Sequence, residues 1–162
     1  MIIKFSELPK IRRKYGKDKI VFAGGTFDIF HKGHIEAIKN LKKYGDIVII
    51  AVSTNKRVRE RKGPLRPILS QKERLALVDA VRYVDFCLLA PESKKGLPVP
   101  TMRILEKLKP DDFVSIENNW LKYKKDVECL GIRLHILKRG WRSSTTAVIE
   151  KILEKYDNSF RH

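Results

Sequence analysis

At 162 residues and 18.8 kDa, with a hydrophobic fraction of 43%, the chain is long enough for one domain with a sizeable core. Lys and Arg outnumber Asp and Glu by 35 to 19, giving a net charge of +16; the excess fits anionic small molecules, nucleic acid or a solvated surface of charged networks of the thermophilic kind. No apolar run approaches the roughly 20 residues of a membrane helix, no continuous apolar region marks a signal peptide, and Cys87 and Cys129 lack CxxC spacing, so a cytoplasmic chain with two buried free thiols is expected.

Residues 1–18 are basic and weakly amphipathic, with Phe5, Leu8 and Ile11 on one apolar face. They suit either an added helix or an arm ahead of a domain at 19–162. Apolar, β-branched runs at 20–23, 47–52, 84–89, 113–116 and 132–137 predict five strands. Between and after them, helical spacing predicts helices over 33–43, 71–82, 101–109, 121–129 and 145–156. Ser70 and Glu73 form a capping-box pattern, Pro110 stops the third helix and Gly131 ends the fourth. The cation-rich stretch 56–66 is read as a loop, and 90–100 as a second, Pro/Gly-rich one. Strands alternating with helices imply an α/β chain, a parallel sheet covered on both faces, with ligands at the C-terminal strand ends.

The segment Gly24-Gly25-Thr26-Phe27-Asp28-Ile29-Phe30-His31-Lys32-Gly33-His34 joins the first strand to the first core helix. Helix N-termini favour anions through unpaired N–H groups and the positive dipole end, and His31 and His34, three residues apart, can reach one ligand. Gly24 and Gly25 allow close backbone approach to phosphate, and Gly33 leaves space between the imidazoles. A second cationic cluster, 56–63, follows strand two. A third, Arg139-Gly140-Trp141-Arg142-Ser143-Ser144-Thr145-Thr146, opens the last helix. All three belong at the same edge of the sheet.

Such a set of cations and neutral donors, without a Ser–His–Asp array or a reactive Cys, suits direct displacement at phosphorus, where alignment and charge stabilisation carry the reaction. A phosphorylated acceptor would attack an α-phosphate in line. Pyrophosphate would leave, its charge met by the Arg139, Arg142 and Ser/Thr group and by Mg²⁺, while His31 and His34 bond the α-phosphate oxygens.

His31-Lys32-Gly33-His34 behind Gly25-Thr26-Phe27-Asp28 resembles the HxGH signature of the cytidylyltransferase-like nucleotidyltransferases, and Arg139 with Ser144-Thr145-Thr146 resembles their second signature. The likeness runs from about Lys19 to Leu153 and implies a single-domain, Rossmann-like, five-stranded parallel sheet. Lys62-Gly63, Arg66-Pro67 and Glu73-Arg74 look like the heptose-phosphate adenylyltransferase branch; Arg82-Tyr83-Val84-Asp85 and Asn118-Asn119-Trp120 look like glycerol-3-phosphate cytidylyltransferase. The resemblance implies transfer of AMP or CMP from ATP or CTP to a phosphorylated sugar or polyol, in a homodimer, with Mg²⁺ accompanying the triphosphate and no metal held by protein side chains. A second version takes FMN as acceptor and makes FAD. By carry-over, His31, His34, Lys62 and Arg139 would be catalytic, with Thr26, Ser144 and Thr145 on phosphates; Gly25, Phe27, Gly33 and Thr146 are further candidates for nucleotide and phosphate binding, as is Arg142, which adds charge beside the Ser/Thr turn without a clear family counterpart. Asn118, Asn119 and Trp120 would line the acceptor or base pocket, with Asp28 there chiefly as a support for the loop. One departure stands out: the family's glycine followed by acidic residues is replaced by Ser115-Ile116-Glu117-Asn118-Asn119-Trp120, so base and acceptor preference are not carried over.

Plainer readings compete. His-x-x-His also suits a metal half-site or simple capping, and the 56–62 run suits a solvated loop. Ser143 to Thr146 also suits an N-cap alone, and His135 suits a structural role within its strand. From another class, a basic nucleic-acid-binding protein on the same fold would show steep salt dependence, although no RNP1-type strand is present.

Overall fold

The computed structural model describes residues 1–92, 99–138 and 143–157. Five strands, β1 (Ile20–Gly25), β2 (Ile47–Val52), β3 (Phe86–Leu89), β4 (Asp112–Ser115) and β5 (Arg133–Ile136), form one sheet in the order β3-β2-β1-β4-β5. Every pairing is parallel. The helices are α1 (Leu8–Lys14), α2 (Lys32–Leu41), α3 (Asn55–Lys62), α4 (Gln71–Asp79), α5 (Pro100–Leu108), α6 (Lys124–Cys129) and α7 (Thr145–Asp157). Three-residue and six-residue 3₁₀ segments at Phe5–Glu7 and Asn118–Tyr123 precede α1 and α6.

Strand side chains alternate between two apolar layers, as the two-residue period requires. Ile20, Phe22, Ile49 and Ala51 pack with α1, α5 and α6 through Leu8, Ile11, Ile104, Leu105, Leu108 and Val127. Val21, Val48, Ile50 and Val52 face α2 and α4 through Ile38, Leu41 and Val78. The expected α/β fold, a Rossmann-like five-stranded parallel sheet covered on both faces, is therefore the observed one. The segment 1–18 takes the helical option: α1 lies against the sheet, and Arg12 donates to Asp111 at 2.8 Å, the carboxylate that also receives the Ile20 N–H.

The expected loop at 56–66 begins instead as α3. Its sequence, NKRVRERK, buries only Val58 and therefore shows no apolar stripe. The helix is started by Thr54, whose hydroxyl accepts the Arg57 N–H at 3.2 Å, and closed by Gly63 at φ 91°. Ser70 and Glu73 make the reciprocal cap read from the sequence. Cys87 is buried as expected, and burial with Asp79 alongside pushes its thiol up to about 12. Cys129 is exposed, contrary to expectation, because it ends α6 on the side away from buried Val127. His135 lies 2.6 Å from the buried Asp112 carboxylate, which also binds Arg133; this cluster belongs to the packing of β4 against β5.

The site-forming feature is where the strand order reverses. β1 pairs with β2 along its whole length but with β4 only through Val21–Asp112 and Phe22–Phe113. Beyond Phe22 the two strands part, opening a crevice at the switch point.

Because Leu8 is fully buried in the layer beneath α5, Leu8→Ala should cost about 2–5 kcal/mol in urea unfolding. A loss within error of zero would show the N-terminal helix to be dispensable to the core.

Candidate active site

Two cavities flank the open crevice. The larger, about 410 Å³, is bounded by the 23–34 segment, α2, Lys62, Arg66, the end of β4 and residues 143–146. The smaller, about 220 Å³, lies toward α3 and the Asn118–Tyr123 segment. Gly24, Gly25, Ser115 and Glu117 line both.

The 26–31 turn is built on unusual backbone. Phe27 and Ile29 have φ of 55° and 43°, a region costly for bulky and especially for β-branched residues. Asp28 between them is almost wholly buried, and its carboxylate accepts from Arg66 Nε at 2.8 Å and from the N–H groups of Ile68 and Leu69. Burial alone would raise its pKa, but these partners more than reverse that, leaving it below the usual carboxylate range. Buried Arg74 holds the other side, donating to the carbonyls of Thr26 (2.5 Å) and Leu69 (3.1 Å) and to Asn55 Oδ1 (2.8 Å). Gly25 has a steric purpose here: a Cβ would sit 2.8 Å from the Phe27 ring. Gly24, by contrast, would admit a Cβ at ordinary contact distances.

The turn delivers His31 to the N-cap of α2. His31 Nδ1 accepts the Gly33 N–H at 3.1 Å, and His34 Nδ1 accepts the His31 N–H at 3.4 Å. The rings stack with centroids 3.9 Å apart, and His34 also contacts the Phe27 and Phe30 rings. A neutral ring that accepts at Nδ1 carries its proton on Nε2. Each imidazole is thus set as a donor along its other edge, and both line the larger cavity.

Thr26, Phe27, Gly33, Lys62 and Ser143 to Thr146 join the histidines around that cavity. Lys62 is exposed at the mouth, yet partial burial of its amine lowers its pKa; Arg66 and Arg61 lower it further, against Glu117 and Asp28. Arg66 matters more than its sequence context showed. Its Nη2 is a buried polar atom without a hydrogen-bond partner among the described residues, and the residue lines the larger cavity. At α7, Ser144 Oγ accepts the Ala147 N–H, which leaves its own proton to give. Thr145 Oγ1 donates its one proton to the Asp28 carbonyl at 2.7 Å, so what Thr145 offers an anion is its backbone N–H at the helix start.

Asp28 borders the larger cavity, but its carboxylate is committed to the 66–69 segment. Asn119 and Trp120 line the smaller cavity rather than the larger, and Asn118 lines neither. Arg139, Trp141 and Arg142 lie outside the described residues. Thr54, at the cap of α3, and Glu117 were not singled out for the site from the sequence, and Arg57 and Arg61 of α3 were named only as members of the 56–63 cluster. The cation run pointed at α3 as a whole; only the helical spacing shows that Arg61 and Lys62 serve different cavities.

These features are those of a Rossmann-like α/β enzyme with a cleft at the switch point of its sheet, and the chain belongs to the cytidylyltransferase-like family, whose pattern its residues 22–151 match. It is a nucleotidyltransferase of that family. FAD synthase of Archaeoglobus fulgidus is 34% identical over 142 residues, covering 83% of this chain and 97% of that protein. The bifunctional protein HldE of Geobacter metallireducens is 31% identical over 141 residues, 85% of this chain but 28% of the other. The chain therefore spans less than a third of that HldE protein. The crystal structure of a lipopolysaccharide core biosynthesis protein from Thermoplasma volcanium superposes with a TM-score of 0.62 at 28% identity, covering 78% of this chain and 99% of that one.

Removing the Asp28 charge would strand Arg66 and set an amide N–H₂ against backbone N–H groups. Asp28→Asn should cost about 3–5 kcal/mol, the scale of breaking a buried pair. Since the folded pKa of Asp28 lies below its unfolded value, its contribution is complete above about pH 4 and fades as pH falls through the folded pKa. Urea midpoints from pH 2 to 6 should thus fall less steeply on the acid side for the variant than for the wild type; parallel profiles would contradict this account of the turn.

Proposed function

We propose that the chain transfers AMP or CMP from ATP or CTP to a phosphorylated small molecule, releasing pyrophosphate. The observation that carries this reading is the pair of cavities joined at the splayed ends of β1 and β4, the larger lined with imidazole, ammonium, guanidinium and hydroxyl donors. The triphosphate would occupy the larger cavity, with its base toward the apolar wall of Ala23, Ala37, Leu41, Val114 and Leu137. His31 and His34 would donate from Nε2 to α-phosphate oxygens. Lys62 and Arg66 would meet the charge on the same group, and the Ser143–Thr146 turn, with Arg139 and Arg142, the departing pyrophosphate. An oxygen of the acceptor's phosphate forms a bond to the α-phosphorus as the bond to the bridging oxygen breaks, and pyrophosphate leaves with the electron pair. Mg²⁺ would travel on the triphosphate oxygens, which the donors of this cavity complement, and supply further charge neutralisation. The proposal includes a homodimer, as the family resemblance implies, and a cytoplasmic location.

Two acceptor classes are supported. A cavity of about 220 Å³ is small beside the roughly 300–1,000 Å³ typical of drug-sized ligands, which favours a sugar or polyol phosphate, in line with the HldE similarity. The aromatic side chains Phe113, Trp120 and Tyr123 in its wall, together with the similarity to an archaeal FAD synthase, favour FMN. Pyrophosphate release with ATP or CTP against glycerol 3-phosphate, heptose and hexose 1-phosphates and FMN separates them. Activity with one pair names base and acceptor together. Silence across the panel, with salt-sensitive RNA binding that is unchanged by substitution of His34, would favour the nucleic-acid reading.

His34→Asn keeps an acceptor near the Nδ1 position and deletes the Nε2 donor. It should lower turnover by about 10²–10³-fold, the scale of losing one transition-state donor, with the fold retained by circular dichroism. Unchanged turnover would remove His34 from the chemistry. Lys62→Ala should lose a comparable factor. Because the Lys62 pKa is lowered, wild-type kcat/KM should also decline with rising pH below the ordinary lysine range of about 10.4, a limb that Lys62→Arg should push to higher pH.

A further inference from the structure

Arg61 and Lys62 are adjacent on α3 yet border different cavities, Arg61 the smaller and Lys62 the larger. Between them stands Glu117, whose two oxygens both accept from Arg61 Nη2, at 2.8 and 2.9 Å. This is one nitrogen shared by two oxygens, not the two-nitrogen fork of the strongest guanidinium pairs. Arg61 Nε and Nη1 have no hydrogen-bond partner among the described residues. Both side chains are well exposed, 36% and 40%, and such pairs contribute little net stability. The Glu117 backbone is held independently of its side chain, its N–H donating to Ser115 Oγ at 3.0 Å. Arg57, paired with Glu60 at 3.7 Å, and Lys122 add two more cations to the wall of the smaller cavity, so the Glu117 carboxylate shares with three cations the wall an acceptor's phosphate must reach.

We propose that Glu117 is a displaceable stand-in for the acceptor's phosphate: an incoming phosphomonoester takes Arg61 from it at the wall shared by the two cavities, and this exchange selects phosphorylated acceptors. The inference rests on the nucleotidyl-transfer reading and deepens it. A dianion engages the guanidinium through its unused nitrogens and replaces a monoanion held through one. A neutral hydroxyl acceptor cannot make that exchange and meets Arg61 still paired. With the phosphate on Arg61, its attacking oxygen lies beside Lys62 and next to the α-phosphorus; it bonds there as pyrophosphate departs, and no proton has to move at the nucleophile. Loss of Glu117 from Arg61 also takes a negative charge away from the path of two anions.

The probe is inorganic phosphate, titrated by calorimetry at fixed ionic strength into the whole chain, with the larger cavity filled by the α,β-methylene analogue of whichever nucleotide the wild type binds. Glu117→Gln should bind phosphate about 5–10-fold tighter than wild type, Arg61→Gln at least about 10-fold weaker, and the double variant should show no gain from Glu117→Gln. Thermal melts confirm that these exposed substitutions leave the fold intact. Equal or weaker binding in Glu117→Gln overturns the exchange, and so does the same gain without Arg61, which would mark a general charge effect. If those failures occur while wild type still binds nucleotide and releases pyrophosphate, only the exchange falls. If wild type neither binds the analogue nor releases pyrophosphate, the transfer reading falls and takes the exchange with it.

Discussion

The conformation of the 26–31 turn rests on two buried charges of opposite sign, Asp28 and Arg74, that do not pair with each other directly but grip the same stretch of backbone from opposite sides. Asp28 takes Arg66 and two N–H groups of the 66–69 segment; Arg74 takes the carbonyls of Thr26 and Leu69. Left-handed backbone at Phe27 and Ile29 costs on the order of 1–3 kcal/mol each, so the turn needs such over-determination. What the strain achieves is placement. The chain leaves β1, folds the Phe27 ring into the core beside Gly25, and arrives at α2 with His31 as its cap.

That clamp also fixes the cations around it. Arg66 reaches Asp28 through Nε, which fixes its guanidinium at the border of the larger cavity. Arg74 bonds Asn55, the first residue of α3, and thereby ties the helix that carries Arg57, Arg61 and Lys62 to the turn that carries the histidines. Five of the 35 Lys and Arg residues, Arg57, Arg61, Lys62, Arg66 and Lys122, thus line the cavities at one sheet edge, where their charges add toward an anion. Lys62 carries the cost of this crowding, its amine made easier to deprotonate by burial and by the neighbouring guanidiniums.

β1, β2 and β3 were readable because each is a short, nearly continuous apolar run, which a strand buried on both faces demands; β4 (DFVS) and β5 (RLHI) carry polar residues and were legible from the apolar residues around them. The capping box at Ser70 was readable because its two partners are three residues apart. α3 was not, since a helix with one buried residue leaves no periodic trace, and its start depends on a threonine cap that resembles ordinary loop chemistry. The histidines announced themselves by spacing. Arg66 and Glu117 did not, because their importance comes from neighbours 38 and 56 residues away in the chain. The hydroxyl of Thr145 shows the same limit: Ser-Thr-Thr at a helix start reads as a phosphate contact, yet its proton is spent on a carbonyl 117 residues distant.

That last bond changes how the two signatures relate. Thr145 at the first turn of α7 holds the carbonyl of Asp28, while the carboxylate of the same Asp28 anchors the 66–69 segment. The HxGH turn, the α7 N-terminus and the segment leading into α4 therefore meet at one buried residue. On the proposed transfer, the separation between the donors meeting the α-phosphate and those meeting the leaving group would depend on this aspartate, whose own carboxylate is committed to Arg66 and to the backbone of Ile68 and Leu69. In a displacement that offers the protein no covalent intermediate, rate comes from holding those two groups of donors at a fixed distance. Asp28 would then act on the rate by position alone, through the turn that carries His31 and His34, without touching either phosphate.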